Sequence, residues 1–338
     1  MFLRNSWYVA AWDREVSAKP LGRVLLGEPV VLYRTSRGEP VGLEDRCCHR
    51  QLPLSMGRTE GDNLRCGYHG LLFGSDGTCV EIPGQESIPP QAKVRAYPLV
   101  EKYNWVWIWM GDPAKADPAL IPNWWWAEHK DWAFTKPDMI PVKCNYQLIA
   151  DNVLDVTHLA YVHASSIGAP SITEFPGTVE REARLVRFTR WIRDRPPPPM
   201  YKDAGGFPGN VDRWQIVEHM PPCFTVNFAG CKDSSRKIDL MALSAPTPET
   251  EKTTHYFFGF TRNFGLGDPV QEERFSAGMV KVFNEDIPIL EAQQRNMDSG
   301  VERIDIAVDA APLAARRMVH GLLGEERKAA AGLAATAT

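Results

Sequence analysis

The chain has 338 residues, a length that favours two domains over one. Its 44% hydrophobic and 24% charged content is that of a globular protein, and a net charge of −4 gives neither nucleic acid nor an anionic membrane a reason to bind it. No apolar run reaches the roughly 18 residues that span a bilayer, and the opening Met1–Trp7 carries no export signature.

Residues 1–112 read as short β segments separated by turns. Arg23–Leu26 and Pro29–Tyr33 form a predicted hairpin across Gly27-Glu28. Asn104–Trp109 is β-prone without a breaker and fits a strand covered on both faces. Gly111-Asp112-Pro113 ends it, and 114–122 reads as a linker. Leu148–Val162 has a helical pattern. Pro196–Pro199, Gly205-Gly206 and Pro208-Gly209 together predict a long surface loop. Phe224–Phe228 and His255–Phe260 alternate as strands of a second, antiparallel sheet, and Gln271–Arg295 reads as a long amphipathic helix. From Glu325 a frayed helix and then disorder are expected. The domains are therefore expected at 1–112 and 113–338.

Seven cysteines, odd in number and unevenly spread, argue against a disulfide framework and for a reducing compartment, so a cytoplasmic location is expected. Four metal-ligand residue types fall in a tight pattern, C-x-H-x16-C-x2-H: Cys47, His49, Cys66 and His69. Each loop offers one thiolate and one imidazole. A zinc finger instead pairs cysteines in one knuckle and histidines on a helix. Mixed loops suit a Rieske [2Fe–2S] cluster, in which two cysteines hold one iron and two histidines the other. A structural zinc site is the alternative. Cys48 lies between two candidate ligands, and the C-x-H pairing selects Cys47. Cys79, Cys144, Cys223 and Cys231 have no partner pattern and read as buried structural thiols.

A second group lies in Asp151–His163, where Asp151, Asp155, His158 and His163 sit among apolar residues. Burying so many polar groups is costly unless they bind one another or a metal. The two-histidine, one-carboxylate triad of non-heme Fe(II) oxygenases is the natural candidate. At about 100° per residue, Asp155 and His158 share a helix face, but His163 does not. One metal can be reached by both histidines only if the helix breaks near Ala160–Val162.

The paired Cys/His loops followed by N-x2-D-x-T-H-x4-H resemble the Rieske non-heme iron oxygenases. The N-W-Y-V-A-A-like opening (here Asn5-Ser6-Trp7-Tyr8-Val9-Ala10), C-G-Y-H-G, E-I-P-G-Q (Glu81–Gln85), V-D-R-W-Q (Val211–Gln215) and H-A-S-S-I-G (His163–Gly168) look like the subgroup of vanillate O-demethylase, dicamba O-demethylase and toluenesulfonate methyl-monooxygenase oxygenase components. The resemblance implies an α+β fold, an N-terminal all-β Rieske domain followed by a helix-grip-like antiparallel-sheet catalytic domain, assembled as a homotrimer. It implies that His158, His163 and Asp286 hold the mononuclear Fe(II), with Glu285 the neighbour to exclude. Asn152 matches a position close to that iron, and Asp155 one that bridges to a cluster histidine of the neighbouring subunit. Electrons from NAD(P)H would come through a separate ferredoxin or flavin reductase and cross by His69, Asp155 and His158. Asn227 matches a substrate-contacting asparagine of the dicamba enzyme, whose partner histidine is replaced here by a residue near Ser244. Arg236 and Lys237 could attract an acidic substrate. The implied reaction is O2-dependent O-demethylation of a methoxylated aromatic acid. The alternatives are hydroxylation of an aryl methyl group and, in another class, a Rieske electron carrier with an inert second domain.

Overall fold

In the computed structural model, which describes residues 1–297 and 299–336, the chain divides into two compact units. One holds Met1–Ile121 with Thr247–Thr250, the other Pro122–Pro246 and the chain from Glu251 onward.

The first unit is all β apart from short 3-10 turns. Trp105–Trp109 lies between Trp7–Trp12 and Leu99–Lys102, and all five of its residues are buried, as expected for a strand with both faces covered. Two of its indoles donate to backbone carbonyls: Trp107 Nε1 to that of Lys102 and Trp109 Nε1 to that of Asp112, each at 2.9 Å. A four-stranded sheet, Leu21–Leu25, Glu28–Arg34, Pro40–Glu44 and Ala96–Tyr97, carries the predicted hairpin. Its turn is centred one residue earlier than expected. Leu25 pairs with Glu28, so Leu26 and Gly27 are the central residues, at φ +52° and +79°. Tight hairpins need positive φ at both central positions, which Gly27 adopts freely and Leu26 does not. The Leu26 and Gly27 amides donate to the carbonyls of Pro248 and Glu249 at 2.8 Å, and these bonds hold the turn. A second four-stranded sheet, Arg58–Glu60, Asn63–Arg65, Leu72–Phe73 and Cys79–Glu81, completes the unit. The expected linker carries two 3-10 turns, Pro113–Lys115 and Pro118–Leu120, capped by Asp112 and Asp117.

The second unit is built on an antiparallel sheet in the order Ala133–Thr135, Thr254–Arg262, Lys237–Pro248, Phe224–Lys232, Val211–Met220, Leu185–Arg195, Thr178–Glu182, with Ile140–Val142 also pairing onto Thr254–Arg262. Four helices accompany it: α1 (Tyr146–Leu154), α2 (Pro199–Gly205), α3 (Pro269–Met297) and α4 (Ala310–Thr336). α2 lies inside the segment expected to be a surface loop. Proline is tolerated in a first helical turn, and Gly206, at φ +59°, ends the helix. α3 starts at Asp268, whose Oδ1 accepts the amides of Val270 and Gln271 at 3.0 and 3.2 Å. α4 begins well before Glu325 because Ala311, Ala314, Ala315 and Val319 are buried, the spacing of one helix face. The disorder expected at the end falls in part on residues 337–338, outside the described residues. Among the described residues no helix is long and apolar enough to cross a membrane.

His219 makes this unit acid-sensitive. It is 1% exposed and pairs across the hairpin with Thr225, its Nδ1 lying 3.0 Å from the Thr225 hydroxyl. Burial pushes its pKa from 6.5 down to about 4. Above pH 6.5 the ring is neutral folded or unfolded and favours neither state. Below it the unfolded chain takes up a proton that the folded chain refuses, so stability falls between pH 6.5 and 4, by about 3 kcal/mol at the lower end. Urea midpoints of His219→Gln, measured alongside wild type over that range, are expected to fall less steeply. Equal slopes would show that another group carries the acid sensitivity.

Candidate metal centres

The first centre sits on two loops of the same backbone design. The amide of Cys47 donates to the carbonyl of Leu52, and the Cys47 carbonyl accepts the amide of Gln51. The amide of Cys66 donates to Leu71, and its carbonyl accepts Gly70. The fourth residue after each cysteine, Gln51 or Gly70, takes positive φ (+62° and +74°). Both cysteines are buried, and burial, aided by the neighbouring Cys66 side chain, pushes the Cys47 thiol up to about 11. His49 and His69 are exposed, their ring centroids 4.6 Å apart. Two adjacent buried thiols and two adjacent exposed imidazoles fit a cluster with one iron inward on sulfur and the other at the surface on nitrogen. Cys48 is exposed, while Cys79, Cys144, Cys223 and Cys231 are free and buried.

The second centre depends on where α1 stops. It ends at Leu154. Asp155 leaves helical geometry at ψ 85°, and a single 3-10 turn, His158–Ala160, precedes the turns that carry His163. The break therefore comes in two steps, one of them earlier than expected, and it frees both histidines to face α3. Gly168 closes the loop by donating its amide to the His163 carbonyl at 2.9 Å. A Cβ there would lie 1.9 Å from the Leu159 carbonyl oxygen, so the close approach requires glycine. Arg316 of α4 grips Asp151 at 2.6 Å and anchors α1 beside the site.

His158, His163 and Asp286 each place one ligand atom within 4.8 Å of the others. His163 Nε2 lies 3.2 Å and His158 Nε2 3.6 Å from the Asp286 carboxylate. The other nitrogen of each ring is occupied: His163 Nδ1 lies 2.8 Å from Glu285 Oε2, and His158 Nδ1 contacts the Asp155 carbonyl. Both Nε2 atoms thus turn toward Asp286, the orientation that metal-binding histidines take when the second nitrogen is held. Burial alone would lower the His163 pKa, yet the Asp286 and Glu285 carboxylates raise it above its usual value. A pocket this attractive to positive charge fits a divalent ion. Of the two adjacent acids, Asp286 touches both histidines and Glu285 only the far side of one. Asn152 Nδ2 donates to Asp286 Oδ1 at 3.3 Å.

Two spaces flank the triad. An open groove of about 640 Å³ is lined by Asp151, Asn152, Asp155 and His158. Asp155 accepts the Thr157 amide on Oδ1 at 2.9 Å. An inner cavity of about 70 Å³ is bounded by the three candidate ligands, Asn152, Asn227 and mainly apolar walls. The Asn227 side-chain oxygen is buried there with no hydrogen-bond partner. Ser244 pairs with Thr225 and donates to the Tyr256 hydroxyl at 3.2 Å, while Ala242 stands opposite Asn227. Arg236 and Lys237 are not in the cavity. Arg236 binds the carbonyls of Gly205 and Gly206, and Lys237 pairs with Asp239.

Comparison with known proteins agrees with this geometry. Residues 6–98 match the Rieske [2Fe-2S] domain, and residues 142–325 match the vanillate O-demethylase oxygenase C-terminal domain. The chain is 42% identical to the toluene-4-sulfonate monooxygenase system iron-sulfur subunit of Comamonas testosteroni, over 96% of this chain and 98% of that protein. It is 36% identical to the vanillate O-demethylase oxygenase subunit of a Pseudomonas strain, over 98% and 97%. The crystal structure of dicamba monooxygenase bound to 3,6-dichlorosalicylic acid superposes with a TM-score of 0.91 at 33% identity, covering 96% of this chain and 99% of that one.

Proposed function

The chain belongs to the Rieske non-heme iron oxygenases, as the terminal oxygenase component of a multicomponent monooxygenase, and on that premise we propose that it removes the methyl group of a methoxylated aromatic acid. The observation that carries this reading is the inner cavity: small, mainly apolar and lined by the three candidate ligands, with one unpartnered side-chain oxygen, that of Asn227, to orient a polar substituent. An aromatic ring needs roughly 150 Å³, so the wall yields as a ring enters and a methyl group reaches the innermost space.

When bound, the cluster and the mononuclear iron supply one-electron transfer and dioxygen activation. The residues of the chain set the geometry. Cys47, His49, Cys66 and His69 hold the cluster, and His158, His163 and Asp286 hold the mononuclear iron. Glu285 and the Asp155 carbonyl fix the two histidine rings. Asn152 steadies the Asp286 carboxylate, and the apolar walls exclude water. Asp155, at the open groove, links His158 to His69 of a neighbouring subunit in a homotrimer. Overall the methoxyarene, O2, two electrons and two protons give a hemiacetal and water. The hemiacetal then collapses to a phenol and formaldehyde. The electrons start at NAD(P)H and arrive through a separate ferredoxin or flavin reductase. Seven free cysteines support a reducing compartment, the cytoplasm, as its location.

Hydroxylation of an aryl methyl group is the second reading, favoured by the 42% identity to the toluene-4-sulfonate subunit. Both reactions put oxygen into a C–H bond at the same place. A pure electron carrier would have no use for the triad of the second unit. Turnover of 4-methoxybenzoate with a surrogate reductase decides between the readings. Formaldehyde in step with O2 and NADH consumption is expected, whereas benzyl alcohol from a methylarene with no turnover of any methoxyarene would establish the alternative.

A further inference from the structure

The V-D-R-W-Q strand places a cation where the fold gives it no counter-ion. Arg213 is 3% exposed, and Arg190, on the neighbouring strand, is 5% exposed. Ile192 opposes Arg213 and Arg190 opposes Gln215, so the two guanidinium groups stand one rung apart on one sheet face. Arg190 is partly satisfied, donating to Thr157 Oγ1 at 3.0 Å and to Gln215 Oε1 at 3.4 Å. Its Nε is unpartnered, as are Nε and Nη1 of Arg213. Among the described residues no carboxylate forms an ion pair with either arginine, and the one acid that supports Arg190 at longer range is Asp155. Burial lowers the pKa of both. Unpaired buried charge is destabilising, and unused guanidinium donors are disposed to take a planar or tetrahedral anion in a forked contact.

The position of Arg213 says which anion. Its Nη2 donates to the Ile167 carbonyl at 2.9 Å, and its guanidinium carbon lies 4.9 Å from the centre of the Tyr201 ring. Ile167 and Tyr201 both line the inner cavity beside the triad. Gln215, one rung along, faces Ala229, which offers the cavity only a methyl group. No lysine or arginine lines the cavity itself among the described residues. An acidic substrate whose methyl group faces the triad therefore has a cation adjoining the cavity wall, and two of that cation's donors, Nε and Nη1, are unused.

We propose that Arg213, backed by Arg190 and Gln215, is the anion subsite of this cavity and takes the carboxylate or sulfonate of an aromatic acid. Occupation moves the Tyr201 or Ile167 side chain aside, enlarging a space too small for a ring. The inference rests on the reading of the cavity as the substrate site, and it adds the residue that holds the acid group there.

Equilibrium dialysis of the iron-loaded protein against 4-methoxybenzoate, 4-methylbenzenesulfonate and the neutral 4-methoxybenzamide tests it, with sodium chloride as the simple-anion control. Wild type is expected to bind both acids more tightly than the amide. Arg213→Gln is expected to weaken the acids about 30-fold, the loss of a charge-assisted hydrogen bond, and to leave the amide nearly unchanged. Arg213→Lys restores part of the loss. Should Arg213→Gln fail to fold, Arg190→Gln is expected to weaken the acids by a smaller factor in the same pattern. Acid binding that survives the arginine substitutions, an amide bound as tightly as the acids, or chloride competing equally with both acids at millimolar concentration overturns the subsite. A stronger effect of the variants on one acid says whether carboxylate or sulfonate is preferred, and either supports the subsite. Formaldehyde release is scored separately. Acids that bind through Arg213 without formaldehyde from any methoxyarene overturn demethylation alone, and formaldehyde release with acid binding indifferent to Arg213 overturns the subsite alone.

Discussion

Asp286→Ala is expected to lower the iron content from about three atoms per chain to about two and to reduce turnover to background, leaving the visible spectrum of the cluster intact. A [2Fe–2S] cluster accounts for two irons and a facial triad for one. Among the described residues, Asp286 is the one carboxylate that pairs with both histidines, 3.2 and 3.6 Å from their Nε2 atoms. Without it, two imidazoles remain to hold the metal. Glu285→Gln makes the contrast. Its amide oxygen can still accept from His163 Nδ1, now as a neutral and weaker acceptor than the carboxylate at 2.8 Å. The iron should stay, with activity down about 10-fold to 100-fold, the usual cost of weakening a partner of a metal-bound histidine. Iron analysis and the cluster spectrum of the two variants separate these outcomes. Iron lost from the Glu285 variant and kept in the Asp286 variant would transfer the ligand role to Glu285.

How the two centres could be read from the sequence differs for physical reasons. The cluster loops are local. Each supplies one cysteine and one histidine within four residues, so spacing alone exposes them. The matching left-handed positions were half visible: Gly70 advertises positive φ, and Gln51 does not. The second centre is assembled across long separations. Asp286 lies 123 residues beyond His163 and reaches it only because α3 packs there. On a helix rich in acids, nothing local separates it from Glu285, and family resemblance alone singled it out. Helical periodicity did reveal that His158 and His163 require a break, but not that α1 would stop at Leu154, before either histidine. Arg213 was obscured for another reason. The buried face of its strand carries Val211, Arg213, Gln215, Val217 and His219, and the opposite face carries Asp212, Trp214, Ile216 and Glu218. Both faces mix polar with apolar residues, so alternation does not say which one turns inward.

Asp155→Asn is the complementary experiment: all of the iron is expected to remain while turnover falls about 10-fold to 150-fold. The argument turns on which atoms of Asp155 do what. Its backbone carbonyl faces His158 Nδ1, and no side-chain substitution removes that contact. Its Oδ1 accepts the Thr157 amide at 2.9 Å, a bond that the amide oxygen of asparagine can also accept. The turn that presents His158 should therefore persist, and with it the mononuclear site. What changes is the second oxygen. Asp155 lines the groove beside His158, and its second oxygen becomes an amide NH2 group, able to donate but unable to accept the hydrogen bond of the imidazole proposed to approach from a neighbouring subunit. A charge-assisted hydrogen bond contributes about 1.5–3 kcal/mol, and lost from an electron-transfer step it corresponds to roughly 10-fold to 150-fold. The substitution also removes the acid that supports the Arg190 charge, so a small drop in the thermal midpoint should accompany it. Stopped-flow reoxidation of the reduced cluster in the presence of substrate and O2 reads the step directly. Slow reoxidation at full iron content is the expected result. Iron falling to about two per chain would make Asp155 a ligand, and normal reoxidation at full iron content would take it out of the electron path.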